Sequence, residues 1–387
     1  FFRTLFLAIL ISMNNFAPND FNKLKANNLE QIESNFSTKF DKSDYEGALK
    51  EINKLIKLNP KKWQYFHNRG LIKYRLEEMK GANADFSKAI KLNQESFNQS
   101  FYYRGFANYY LENYEKSILD FTKALDLGLD EFAHEDVFYL MGSSKYIIGD
   151  FAGALSDFSK VIELNPKSVF AYNQRGKNHE LLGNIKSALD DYKNALLIEP
   201  KNKTSIENLN NLSYSLQKKV NSIEEEIDIA EEKKDYKKII DLYKEIIFIL
   251  DQIDALYPQP YQDIAYQYYR LGNYEKAISY ISKAISLEKS LNGNVTSNYA
   301  DYLDGLALYY RKGKLFLSEE EFKKILPLLD ESLNIKKIIY GNQNVKTADG
   351  YYQLANLYSQ KGKFYKSIKL RKESIEISEN LNEVRDF

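Results

Sequence analysis

Residues 171–200 read AYNQRGKNHELLGNIKSALDDYKNALLIEP, and this stretch decides the fold. Gly176 is followed by Ala188, Tyr192 and Ala195, and Glu199-Pro200 closes the unit. The same grammar surrounds Gly70, Gly105 and Gly142, so the four glycines lie 35, 37 and 34 residues apart. Ala82, Ser117 and Ala154 take the place of Ala188; Phe86, Phe121 and Phe158 that of Tyr192; Ala89, Ala124 and Val161 that of Ala195. Two short helices cross closely only where small side chains occupy the contact. The glycine and the first small residue are therefore read as the crossing of a helical hairpin, and the aromatic as the wedge that fills it. Pro60, Pro166 and Pro200 end second helices, because proline lacks the N–H that the helix needs and restricts its predecessor. Gly149-Asp150 and Gly183-Asn184 supply the turn inside a hairpin.

This grammar resembles the tetratricopeptide repeat, whose helix–turn–helix period is about 34 residues. The resemblance implies an all-α fold, a right-handed α-solenoid of helical hairpins. Leu29–Pro60 keeps the second helix but carries Phe36 where glycine is expected, so it reads as a degenerate capping repeat. Residues 29–200 form a first array, and 203–221 a polar helical connector. Residues 222–382 form a second array with longer units, in which Ala307 and Ala355 stand 48 residues apart. Those longer units resemble the kinesin-light-chain type of repeat. Leu326-Pro327 departs from it and predicts a kink in a second helix.

Composition bounds the chemistry. The 387 residues hold 54 Lys+Arg and 54 Asp+Glu, and that balance argues against a nucleic-acid binder. Cysteine is absent from the sequence, which excludes disulfides and thiolate chemistry. His67, His134 and His179 lie in separate units without ligand spacing, so no metal or other cofactor is expected. Neither a nucleophile elbow nor a phosphate-cradling glycine loop is present, and the expected class is non-enzymatic. The apolar run Leu5–Ile11 after Arg3 is too short for a membrane span and fits a secretory signal over residues 1–18. Export to a periplasmic or extracellular location follows; the alternative is an apolar helix of the solenoid in a cytoplasmic protein.

Function is implied by the resemblance: a scaffold that binds another protein or a peptide segment through the concave face lined by first helices. The alternative is a regulatory repeat module of a larger signalling protein. In the first array that face offers His67, Tyr74, Tyr102, Phe106, Tyr109, Tyr139, Tyr146, Asn173 and Lys177. The second array offers Tyr266, Arg270, Arg311 and Tyr352. Some members of the family grip a C-terminal carboxylate with a Lys/Asn/Arg clamp, and that residue pattern is missing here. Arg69, Arg104 and Arg175 each precede a contact glycine, and Asp85, Asp120 and Asp191 precede the aromatics of the same units. An arginine beside a packing contact is expected to find a carboxylate, so each Arg is predicted to pair with the Asp of its own repeat.

Overall fold

The structure, a computed structural model, describes residues 18–93, 98–312 and 314–383. Residues 1–18, read as a secretory signal, lie outside them apart from Pro18. Contacts divide the chain into two compact units, Phe1–Leu209 and Asn210–Phe387. Among the described residues every regular element is helical.

The first unit is a run of antiparallel hairpins. They pair α1 (Pro18–Asp41) with α2 (Tyr45–Leu58), α3 (Trp63–Arg75) with α4 (Met79–Leu92), and α5 (Asn98–Tyr110) with α6 (Tyr114–Asp126). They continue with α7 (His134–Ile147) on α8 (Phe151–Leu164) and α9 (Val169–Leu181) on α10 (Ile185–Ile198). Each second helix also packs on the next first helix, and α3 touches α5 as α5 touches α7, which keeps the first helices together on one face.

The predicted crossings are present. Phe86, Phe121, Phe158 and Tyr192 are fully buried, as are Ala82, Ser117, Ala154 and Ala188. A ring of this size withdrawn from water contributes about 2–3 kcal/mol. A Cβ built on Gly70 would stand 2.7 Å from the Phe86 ring, so the glycine is a requirement of the ring opposite. The first hairpin solves the same crossing in reverse, with Phe36 on the first helix and the smaller Ile52 on the second, both buried.

The hairpin turn is equally regular. Ser43, Glu77, Glu112, Gly149 and Gly183 occupy equivalent positions with φ between 60° and 84°. The next N–H bonds back across the turn, as from Glu78 to the Lys73 carbonyl and from Asp150 to that of Lys145, both at 2.8 Å. This left-handed closure satisfies carbonyls that the helix end would leave bare. The following residue opens the second helix: the Asp44 and Asp150 carboxylates accept from the N–H groups of Gly47 and Gly153, both at 2.9 Å.

The second unit begins within α11 (Lys203–Glu232), a single helix of 30 residues in which the polar connector and the next first helix are continuous. Ile223, Ile227 and Ala230 bury against Ile239, Leu242 and Ile246 of α12 (Tyr236–Gln252). The hairpins α13 (Gln259–Arg270) with α14 (Tyr274–Asn292), α15 (Ser297–Arg311) with α16 (Glu319–Tyr340), and α17 (Val345–Gln360) with α18 (Phe364–Glu383) complete it. Ala265, Ala277, Ile281 and Ala284 are fully buried, so the α13–α14 hairpin uses an alanine–isoleucine crossing where the first unit uses glycine and an aromatic. The helix α16 carries Pro327, the residue at which the sequence predicts a kink, in its interior and continues through it to Tyr340.

Candidate functional site

Between the paired helices of the first unit runs a ladder of ion pairs. Asp85, Asp120 and Asp191 are buried, and each receives a guanidinium fork from its own repeat. In all three, Nε donates to Oδ2 at 2.9 Å and Nη2 to Oδ1 at 2.6 Å, from Arg69, Arg104 and Arg175 respectively. The predicted pairing is thus present in each of the three repeats. Two features escaped the sequence reading. The aspartate also recurs in the remaining repeat as Asp157, where Met141 replaces the arginine and Lys145 pairs with it at 2.8 Å. The residue three beyond each glycine faces the same carboxylate: Lys73 at 2.8 Å, Asn108 at 2.8 Å and His179 at 3.9 Å. The fixed spacing of twelve residues to the aspartate was the signal available for these.

The third guanidinium nitrogen reaches the previous repeat. Nη1 of Arg69 donates to Asn53 at 2.8 Å, that of Arg104 to Ser87 at 3.2 Å and that of Arg175 to Ser159 at 3.1 Å. One arginine therefore ties its own hairpin and staples it to the preceding one.

The face formed by α3, α5, α7 and α9 carries the residues assigned to the groove. Ring contacts fall in two groups along it, the first joining Tyr74 with Phe106 at 6.1 Å, Tyr102 with Phe106 at 4.8 Å, and Phe106 with Phe121 at 5.4 Å between centroids. Tyr139 lies 5.0 Å from Phe170 and 6.0 Å from Phe158, and Tyr146 lies 5.8 Å from Phe151. All five aromatics Tyr102, Phe106, Tyr109, Tyr139 and Tyr146 are half-buried, and the first four pack on the core cluster around Phe121. Burial pushes the Tyr102 hydroxyl up to about 12, and burial likewise raises Tyr74, Tyr109 and Tyr139. These hydroxyls stay protonated and can donate at any physiological pH.

Two of the named positions are packed between repeats instead. His67 is 4% exposed, with Nδ1 2.9 Å from Ser100 Oγ and its ring 5.6 Å from Phe86. Asn173, the equivalent residue of the fourth glycine repeat, is 3% exposed and donates to Ser205 at 2.8 Å. Their side chains present little surface to a ligand, because the −3 position faces the next first helix and a short polar group can bond there. Lys177 is half-exposed. Tyr103, missed in the sequence, stacks on Phe86 at 5.9 Å and joins the Tyr74 end of the ladder.

Burial also holds the His67 imidazole down at about 4. The unfolded chain takes up its proton near pH 6.5 while the folded protein does not, so the contribution of neutral His67 is complete above that pH. It is lost as pH falls from about 6.5 towards 4, by roughly 3 kcal/mol in all. Urea titrations at pH 7 and pH 4.5 should show a larger loss in the wild type than in His67→Asn, the residue the fourth repeat uses here. Equal losses would contradict it.

In the second unit, Tyr266 and Tyr352 are each 47% exposed. Arg270 donates to the Tyr236 hydroxyl at 2.8 Å and covers the Tyr236 ring. Arg311 is 5% exposed and bonds Gln353 through Nη1 and Nη2, so it crosses between first helices α15 and α17. Asp263, also missed, lies beside Tyr243, and burial pushes its carboxyl up to about 6.

Stacked hairpins with a repeated small-residue crossing define a helical-repeat protein. Three of the hairpins match the family model described as tetratricopeptide repeat, over residues 171–202, 258–291 and 348–381, which are α9–α10, α13–α14 and α17–α18. A TPR repeat-containing protein of Methanocaldococcus jannaschii is 30% identical over 209 residues, 45% of this chain and 35% of that protein. The match thus spans about a third of the length of that curated relative. Among solved structures, MamA is similar with 22% identity over 45% of this chain and 92% of its own, at a TM-score of 0.41. A tetratricopeptide repeat protein from Parabacteroides merdae is 16% identical over 73% of this chain and 98% of its own, also at 0.41. Among the described residues, no helix is long and apolar enough to cross a membrane.

Proposed function

We propose that this chain is a non-enzymatic scaffold that holds a segment of another protein along the first-helix face of its first unit. The observation that carries the reading is the aromatic ladder from Tyr74 to Tyr146. It crosses three hairpins and is half-buried, where an idle helix face would carry Lys and Glu. Such rings offer large apolar area at low entropic cost, and their hydroxyls can bond a peptide backbone. Recognition built this way depends little on salt. The N-terminal apolar run fits an exported protein.

A photo-crosslinking residue placed at Tyr109 or Tyr146 in the native host should form adducts with a partner chain. Changing Tyr102 and Tyr139 to Ala should remove those adducts by about tenfold or more, and the change of both to Phe should keep most of them, since the packing survives. Because both rings also pack on the core, far-UV circular dichroism of each variant must show retained helix. Adducts formed instead from Leu197, 79% exposed on a second helix, would overturn the reading.

A further inference from the structure

In the second unit a surface cavity of about 530 Å³ lies between the first helices α15 and α17 and the second helix α18. Four cationic residues line it (Arg311, Lys312, Lys314 and Arg371) together with Asn356 and Gln360, and no carboxylate among the described residues does. The charges around it do not cancel. Arg311 feels Asp304 behind it, in a cluster where Lys336 pairs with Asp304 at 2.5 Å and with Asp349 at 3.4 Å. Those two acids offset Arg311 and Lys336. Lys314 pairs with Glu321.

Lys312 and Arg371 remain. Both are exposed, and neither meets a carboxylate among the described residues. Lys312 lies over the Tyr269 ring at 5.6 Å. Arg371 donates to Asn356 Oδ1 at 3.1 Å and lies over Tyr352 at 5.8 Å. At the cavity, Arg311 is buried, only 5% exposed, and its Nε–H has no acceptor among the described residues.

From this arrangement we infer that the cavity binds a phosphate monoester. Two uncompensated cations match a group carrying about −1.5 to −2 charges, which a single carboxylate does not. Guanidinium forks fit the phosphate oxygens. The volume exceeds that of a phosphate group, which leaves room for the carrier of the ester. The carrier is either a small phosphometabolite or a phosphorylated side chain, and the chemistry of the contact is the same.

Calorimetric titration of the full chain tests this with O-phosphoserine, a sugar phosphate and glutamate as probes. At least one phosphate monoester should bind, about tenfold tighter than glutamate. Lys312→Gln with Arg371→Gln should weaken it by about tenfold or more with helicity unchanged, and Arg371→Lys, which keeps the charge and loses the fork, should fall between. Tighter binding of the sugar phosphate assigns a metabolite; tighter binding of O-phosphoserine assigns a modified side chain. Absence of binding by both esters, equal affinity for glutamate, or an affinity indifferent to the double variant would overturn the inference. The first-unit crosslinks are independent of every one of these outcomes.

Discussion

Gly176→Leu is expected to destabilise the first unit by about 3 kcal/mol, and Gly176→Ala in the same direction by less. Helix propensity alone predicts the opposite sign for alanine, a gain of about 1 kcal/mol. Packing decides. A Cβ on residue 176 would stand 2.5 Å from Tyr192 Cε1, and the ring is fully buried with its hydroxyl tied to Glu180. It has nowhere to retreat, so the hairpin α9–α10 must open. Each repeat is stabilised largely by its neighbours, so the loss should spread to the preceding hairpin. Gly142→Ala is the internal comparison, since its Cβ would stand 3.0 Å from Phe158, and it should cost less. Urea unfolding followed at 222 nm measures all three. A stability of Gly176→Ala above wild type would mean that the crossing is looser than the structure shows.

The second large effect is expected for Asp191→Ala. Asp191 is 3% exposed and receives two bonds from Arg175, whose third nitrogen reaches Ser159 of the preceding repeat. Removing the carboxylate leaves a guanidinium in place with no counter-charge, at a cost of about 2–4 kcal/mol; the arginine side chain is 22% exposed, which keeps the figure below that of a fully buried pair. Ser159→Ala removes only the staple and should cost about 1 kcal/mol or less. Replacing both partners, as Arg175→Met with Asp191→Leu, should recover much of the loss, because the penalty belongs to the orphaned charge. If Asp191→Ala melted like wild type, the ladder would be ornamental and the aromatic wedges alone would hold the hairpins.

Legibility followed locality. The hairpins from Gly70 to Pro200 were readable because each crossing sets its residues at fixed offsets, so four copies confirm one another. The arginine–aspartate pairs were readable for the same reason. The Lys73, Asn108, Lys145 and His179 partners were not, since lysine, asparagine and histidine share that position and no one residue type holds it in every repeat. The groove was readable as a set of aromatics but not as a surface. Tyr102 and Tyr139 are half-open while His67 and Asn173, at the equivalent position, are closed over by the next repeat.

By itself, then, the sequence determined the repeat, its period, its turns and its internal ion pairs. All of these rest on contacts within one hairpin, where chain spacing dictates which side chains meet. Tertiary structure decided what lies between hairpins: the reach of each arginine to the preceding repeat, the burial of His67, and the convergence of Arg311, Lys312 and Arg371 on one cavity. Those outcomes depend on how closely successive hairpins stack, and that distance is set by the bulk of side chains on different hairpins, which the pattern within one hairpin does not record.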